Sequence, residues 1–554
     1  MHNKTNILNP LKIGLLSFFF ILSSATYAEN YYVDAVNGND SNGGISEVQA
    51  WRTVAKVESA SYNFSAGDVI AFKRGQTFKG SLFYRGPSGT EGNPITFTSY
   101  GTGDRAIITG FDVISGTWVN EGSNKWSLST STKITRLHKD GVELKRTSEP
   151  STGQHWNEFG QIAGCVWIWD NYKLYYYSET DPSSSVFEGA KKSQILTLSG
   201  KSYINIVDLN LMGGTSSVIA LSDCSYININ NCNIGKNSSY GIVVSSSSNL
   251  IIERNTFDSN FKLTFVGIAS YSNTDARGVD DALVSWGGIT NSEIRYNDFI
   301  NWPHSAVSFV MTSSIASGNK VHHNYVTAPD LLYARAFSFG GDGSSNNELY
   351  NNYVYKTSMR SQLNGINNHI HHNWFDDVKD SPYKFGEQGQ GIALENFNGN
   401  PTGNIYEYNT ISNTENACME LLASGTSTRD ISGNTFRKNL FDNCGTNAYY
   451  SNKSYKGIVI GGYVDIRGNN FYENVLTSPQ TSDTIFHRDA AITPSEFNTR
   501  DGMNDDDISG NTSTVTDQGA GVLDVTTIGV NAGSTSSEPI VKTGAFIMTK
   551  DGLH

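Results

Sequence analysis

Charge is scarce in this 554-residue chain: Asp, Glu, Lys and Arg together make 17% of it. A coiled coil needs far more and is excluded. Basic residues are the rarer sign, 40 against 53 acidic, leaving a net charge of -13. An acidic chain with no evident basic cluster is a poor nucleic-acid partner. Cysteine is also sparse. Cys165, Cys224, Cys232, Cys418 and Cys444 show neither metal-ligand spacing nor a dense disulfide framework. An odd count leaves at least one thiol free or intermolecular, and most are expected as small buried apolar residues. Long apolar runs are missing after the first thirty residues, so no second membrane span is expected.

That one early run reads as a targeting signal. Lys4 and Lys12 precede or flank it, Ile13 to Leu22 forms the apolar stretch, and Thr26-Tyr27-Ala28 offers small residues for cleavage. A secreted mature chain beginning at Glu29 is expected, extracellular or periplasmic and with no membrane association once the signal is removed. Aromatic residues, by contrast, are plentiful at 12%, enough with so little charge to build a core and exclude disorder.

One short pattern recurs: Asn, any residue, then an apolar one. It appears at Asn255, Asn297, Asn324, Asn352, Asn373, Asn409, Asn434 and Asn469, separated by 21 to 42 residues. Repeats of this length point to a solenoid. Short alternating segments surround each Asn, as at Tyr226–Ile229, and a further one follows after a loop: Gly241–Val244, Ala306–Phe309, Ala336–Phe339, Gly391–Leu394. Period-two alternation means strands with one buried face. Three short strands per repeat without helical periodicity describe the coil of a parallel β-helix. Asn suits the bend, since it tolerates left-handed backbone angles and bonds locally, and stacked Asn side chains can form a ladder. These asparagines are therefore read as structural.

The N-terminal stretch adds Tyr31-Tyr32-Val33, Gly38-Asn39-Asp40-Ser41-Asn42-Gly43-Gly44, Trp51-Arg52-Thr53-Val54, Ala66-Gly67-Asp68-Val69-Ile70 and Asn93-Pro94-Ile95-Thr96. With the repeat, this succession resembles the right-handed, pectate-lyase-like parallel β-helix superfamily of secreted bacterial carbohydrate-active proteins. The resemblance covers most of residues 30–515. It implies an all-β solenoid, with a short helix near Trp51–Ala60 capping the apolar end of the first coil. It does not choose a reaction, because one fold hosts many chemistries. The expected organisation is a signal (1–28), cap and first coils (29–114), an inserted β subdomain (115–195), the main β-helix (196–515) and a closing tail (516–554). The insert is aromatic-rich, with Trp118, Trp126, Trp156, Trp167 and Trp169, and Asp140-Gly141 reads as a hairpin turn. Its aromatics serve either sugar stacking or its own core.

Chemistry in such a fold lies in outward columns, one residue per coil. If Ile242, Val307, Phe337, Ile392 and Met419 point inward, Ser308, Ser338, Ala393 and Glu420 form one outward column. Glu395 then belongs to the next. With coils ~4.8 Å apart and alternate residues ~6.6 Å apart, Glu395 and Glu420 have Cβ atoms roughly 8 Å apart. A carboxylate pair is what glycoside hydrolysis requires. A uronate lyase instead needs a cation and a base at one sugar, for which His304, Arg335, Tyr383 and Lys384 are the candidates. Glu387, Asp342, Trp302 and Asp281 are candidate substrate contacts. Asp376, Asp377 and Asp380 offer clustered oxygens of the kind Ca²⁺ takes. Asp505–Asp507 reads as a polar turn. His322-His323 and His371-His372 occupy equivalent places in different coils, which favours stacking over metal binding. Hydrolysis needs no cofactor; the lyase reading admits Ca²⁺. The expected partner is an extracellular polysaccharide, and no oligomerisation signal stands out, so a monomer is expected. Hydrolysis is favoured, a lyase is second, and a non-catalytic glycan-binding surface protein is third. The third would show Thr, Ser and Asn columns without converging acids.

Overall fold

The computed structural model describes residues 28–144, 167–237, 239–259, 281–302, 304–309, 315–329, 334–379, 389–396, 399–422, 430–446, 456–460 and 466–477, with shorter pieces beyond. Strands of successive coils stack in register into three long sheets of 18, 13 and 12 strands among these residues, parallel except where Ala490–Ile492 pairs antiparallel with Ile485–His487 at the end of the thirteen-stranded sheet. One coil shows the plan. Glu293–Arg295 lies in the first sheet, Asp298–Ile300 in the twelve-stranded sheet and His304–Phe309 in the thirteen-stranded sheet. The next coil repeats it with Lys320–His322, Tyr325–Thr327 and Ala334–Phe339, paired residue for residue with the coil before. No helix among the described residues is long and apolar enough to cross a membrane.

The strands of the first and second sheets are mostly three residues long because only the middle one has to face inward. Ile294, Phe299 and Val307 of one coil, then Val321, Val326 and Phe337 of the next, fill a continuous core. Ile242, Ile392 and Met419 are also fully buried, as the alternation predicts. Like residues stack on like: Phe257 on Phe299 with ring centroids 4.6 Å apart, Tyr406 on Phe436 at 4.9 Å and Phe436 on Phe471 at 4.8 Å. These distances are the coil spacing, so each ring gains its neighbour's face without disturbing the ladder.

Two asparagine ladders flank the first sheet, five residues apart. One runs Asn255, Asn297, Asn324, Asn352, Asn373, Asn409, Asn439, Asn474 and Asn511. The other runs Asn319, Asn347, Asn368, Asn404, Asn434 and Asn469. The repeat read from sequence therefore changes ladders after Asn409: Asn434 and Asn469 precede their strands, and Asn439 and Asn474 are the true continuations. In a typical rung, Asn324 Oδ1 accepts from both the backbone N–H and the side-chain amide of Asn297, while Asn324 Nδ2 donates to the carbonyl of Ile294. The left-handed residue at each bend is the one before the asparagine, such as Tyr296, His323, Asn351 and His372, with φ between 52° and 56°. The expectation that Asn supplies the left-handed angle is thus corrected; Asn supplies the hydrogen bonds. Non-glycine residues in that region carry a cost, and the satisfied ladder offsets it.

At the N-terminal end, the helix Val54–Ala60 is capped by the Thr53 hydroxyl accepting from Lys56 N–H and buries Val54 and Val57 on the first coils. Antiparallel strands interrupt the solenoid between Phe111–Val113 and Phe187–Ala190 and form two four-stranded sheets. Asp140 and Gly141 make the turn, both with positive φ. Trp167, Tyr176, Leu128, Leu137 and Phe187 form a separate core, with Trp118 and Trp169 packed against it. Of the two roles open to these aromatics, core filling is what Trp118, Trp167 and Trp169 perform, while Trp126 lies outside that cluster and donates from its indole N–H to the carbonyl of Ser178. Trp156 lies outside the described residues. Fully buried Arg136 ties this unit to the solenoid, donating from Nη1 to the carbonyls of Asn237 and Ser259 at 2.9 and 2.6 Å. Cys418 and Cys444 form a disulfide between coils, while Cys224 and Cys232 are free and buried. Of the tail 516–554, only the hairpin pair Met548–Thr549 and Gly552–Leu553 is described.

Replacing Asn324 with Ala orphans the Asn297 backbone N–H in a dry interior, where an unsatisfied group costs about 1–3 kcal/mol. Chemical unfolding of Asn324→Ala is expected to show a loss of at least about 2 kcal/mol, far above that of the same change at exposed Asn120.

Candidate functional site

The thirteen-stranded sheet carries the polar column. Its register places Ser308 beside Ser338, Ser338 beside Gln362, Gln362 beside Ala393, and Ala393 beside Glu420. Glu395 stands two residues further along its strand, opposite Leu422. Both glutamates thus occupy the columns that alternation assigns them. They are not, however, on an open surface: Glu395 is 2% exposed and Glu420 1%. Two carboxylates so deeply buried have to be paired or neutralised.

The two solve that problem differently. Glu395 forms an ion pair with Arg360 through one oxygen and accepts from Gln362 Nε2 at 2.7 Å through the other. Its backbone N–H donates to Asn364 Oδ1 at 2.8 Å, which fixes the strand end. Glu420 accepts from Gln390 Nε2. Burial pushes the Glu420 carboxyl up to about 7; the negative Glu395 adds to the rise, while the Gln390 hydrogen bond and the Arg360 charge oppose it. One carboxylate therefore lies against a guanidinium and the other holds its proton into the neutral range.

Arg335 extends the network by donating to Gln362 Oε1. A chain of side chains from Arg335 through Gln362 to Glu395 thus crosses consecutive coils. Earlier on the same face, His304 Nδ1 lies 2.6 Å from Asp281 Oδ1, with Asp281 3% exposed. Three buried polar atoms beside the pair have no hydrogen-bond partner among the described residues: Gln390 Oε1 and both amide atoms of Asn416. Asn416 adjoins Gln390, since its N–H donates to the carbonyl of Gly389.

Glu395, Glu420 and Arg335 are brought into one neighbourhood, and His304 and Asp281 pair beside it. Trp302 is not a surface contact: it is 2% exposed and sits in the core against Phe257. Asp342 is exposed but spends its carboxylate on Asn400, accepting from its N–H at 2.8 Å and its amide at 3.2 Å. Asp376 and Asp377 do not converge as an oxygen cluster. Asp376 accepts from Ser412 Oγ and Asn413 Nδ2, both at 2.7 Å, while Asp377 turns at φ 58° to pair with Lys379. They lock a bend. Asp380, Tyr383, Lys384 and Glu387 lie outside the described residues, as do Asp505 and Asp506. The sequence reading missed Arg360, Gln362 and Gln390. Gln390 precedes the strand Ile392–Glu395, while Arg360 immediately precedes and Gln362 lies in Ser361–Leu363, which lacks the Ala/Gly-apolar-x-apolar signature of its neighbours; counting one Asn-to-Asn interval between Asn352 and Asn373 reveals the missing coil.

The histidine pairs stack as expected of equivalent positions. His322 lies on Tyr350 at 4.6 Å and Tyr350 on His371 at 5.0 Å. Burial, with the neighbouring His323 adding to it, lowers His322 to about 3.

A family profile described as "Right handed beta helix region" matches residues 115–281. The hand of the coils is right-handed, and the fold is the right-handed parallel β-helix expected from the sequence. Among curated proteins, a lacto-N-biosidase of Bifidobacterium longum subsp. longum is 29% identical over 110 residues, which cover 18% of this chain and 7% of that protein. The match therefore spans only a small part of that relative's length. Among solved structures, one titled a glycoside hydrolase aligns over 88% of this chain and 97% of its own, at 10% identity and a TM-score of 0.45. A pectate lyase aligns over 82% of this chain and 83% of its own, at 12% identity and a TM-score of 0.41.

The raised Glu420 gives a stability signature whose sign is opposite to that of a salt-bridged acid. Its folded carboxyl titrates near 7 and its unfolded one in the ordinary range near 4.5. The stabilisation is whole below the unfolded value and is lost as pH rises through about 7. Glu420→Gln mimics the protonated group. The variant is expected to gain about 2–3 kcal/mol relative to wild type at pH 8 over its difference at pH 4. Urea unfolding at the two pH values measures this, and an equal difference at both would remove the assignment.

Proposed function

We propose that the protein is a secreted glycoside hydrolase that cleaves an extracellular polysaccharide, with Glu420 as general acid and Glu395 as base or nucleophile. The observation that carries this reading is the division of labour within one buried pair: a glutamate held against Arg360 and a neighbouring glutamate raised to about 7. Two carboxyl groups whose surroundings push their protonation apart are the pattern that glycosidic cleavage uses. The partial match to a lacto-N-biosidase supports it in the same direction.

In the proposed step Glu420 gives its proton to the glycosidic oxygen as the C–O bond breaks. Glu395, paired with Arg360 and accepting from Gln362 Nε2, either takes a proton from an attacking water or forms a transient glycosyl ester that water then opens. Strand geometry puts the two Cβ atoms roughly 8 Å apart, and the anomeric form of the first product decides between the two routes. The orphaned atoms of Gln390 and Asn416 are suited to sugar hydroxyls, which both donate and accept. No cofactor is required by this chemistry.

A lyase is the second reading. The His304–Asp281 pair and Arg335 on the same face favour it, since β-elimination needs a base beside a cation that neutralises the uronate.

Digesting neutral and uronic-acid polysaccharides with the mature chain separates the two. Hydrolysis yields new reducing ends without ultraviolet absorbance, and Glu395→Gln and Glu420→Gln each lower kcat at least about 10²-fold. The wild-type kcat/KM falls above about pH 7, because Glu420 must be protonated. Absorbance from unsaturated ends in step with reducing ends would overturn the hydrolase reading.

A further inference from the structure

Away from the carboxylate pair, on the outer face of the first sheet, three coils bring together Glu348, His369, His371 and Glu407. His369 and His371 alternate on one strand, so both side chains leave the same face, with ring centroids 4.2 Å apart. Glu348 is the register partner of His369 on the coil before, and Glu407 is the partner of His371 on the coil after. The contacts nevertheless run along the diagonals. His371 Nε2 lies 3.1 Å from Glu348 Oε1, and His369 Nε2 lies 2.8 Å from Glu407 Oε1. The two contacts run side by side, each linking one histidine to the carboxylate of a neighbouring coil. One ligand atom each from Glu348, His369 and His371 falls within 4.8 Å of the others.

We infer that Glu348, His369 and His371 form a binding site for a divalent transition ion of the zinc class, cross-linking successive coils of the solenoid. Zinc takes imidazole nitrogens and carboxylate oxygens at ~2.0–2.2 Å in a tetrahedron, whose edges are then ~3.3–3.5 Å. The 3.1 Å gap between His371 Nε2 and Glu348 Oε1 is already near such an edge. Two nitrogens and one oxygen are a donor set for zinc, cobalt or nickel rather than for Ca²⁺, which takes oxygens alone. The rings are also held from outside. His371 stacks on Tyr350 at 5.0 Å with the planes 2° apart, and its Nδ1 is engaged 2.8 Å from His372 Nδ1, which leaves Nε2 toward Glu348. Glu407 is anchored by Arg437 at 2.6 Å and orients His369. Such outer partners are what metal-binding histidines ordinarily have. Side-chain exposures of 39% for His369, 34% for Glu348 and 15% for His371 leave a path from solvent.

Because Glu348 and the two histidines lie on successive coils, the ion would clamp those coils together, with water in the fourth position.

Untagged mature protein, stripped with a chelator and titrated with Co²⁺, tests the site. One Co²⁺ per chain is expected to bind with an intense visible band of tetrahedral type, displaced by Zn²⁺. Zn²⁺ is also expected to raise the thermal midpoint by several degrees while Ca²⁺ leaves it unchanged. His369→Ala and the milder Glu348→Gln are each expected to weaken Co²⁺ binding at least tenfold, with the folded circular-dichroism spectrum retained. Absence of the band in wild type, or an unchanged band and affinity in both variants, overturns the site.

Discussion

The hydrogen bonds of the buried asparagine side chains are the constraint on which the rest of this molecule depends. A coil of three short strands leaves backbone N–H and carbonyl groups at every bend, in the dry interior, with no strand partner. Each ladder asparagine satisfies two donors and offers two of its own, so one side chain closes the account of a whole bend. Because every rung contacts the rung above and below, it also prevents a coil from slipping by a residue. A slip would turn each core residue outward. Loops of different length can then be added elsewhere on the coil, which is why rungs recur at intervals as unequal as 21 and 42 residues.

Registry at that level lets side chains from different coils be placed against one another as on a grid. Gln362, Glu395 and Glu420 come from three coils and Arg335 from a fourth. Their positions depend on stacking alone. The same grid produces the buried, unequal carboxylate pair on one face and the His–Glu cluster on another. In both cases the physical content lies in which charges the stack sets side by side. Glu395 faces Arg360, while Glu420 is buried with only partial compensation and keeps its proton.

Much of this was legible from the residues, though unevenly. The spacing of Asn255 to Asn409 disclosed the coil, and the inward alternation through Ile242, Val307, Phe337, Ile392 and Met419 placed Glu395 and Glu420 in the right columns. That Asn434 belongs to the second ladder was not legible, because both ladders share the same local pattern and differ only by a five-residue offset. Trp302 looked like a sugar contact because it stands in a loop-like stretch, but the gap beside Phe257 takes it inward. Burial of the carboxylates also escaped: alternation says which side of a strand a residue leaves, not what lies over that side. Arg360 and Gln362 were overlooked for a simpler reason, their strand being polar where its neighbours are apolar.

Glu420 holds its proton up to about pH 7, beside a Glu395 that is paired with Arg360. Infrared difference spectroscopy of the mature protein reads this directly. A buried, protonated carboxyl band that fades as pH rises through about 7 is expected, missing from Glu420→Gln but retained in Asp298→Asn, which removes another carboxyl raised by burial. If the band is absent at pH 6, or persists unchanged in Glu420→Gln, the pair is not divided into acid and base, and the reading of the site fails with it.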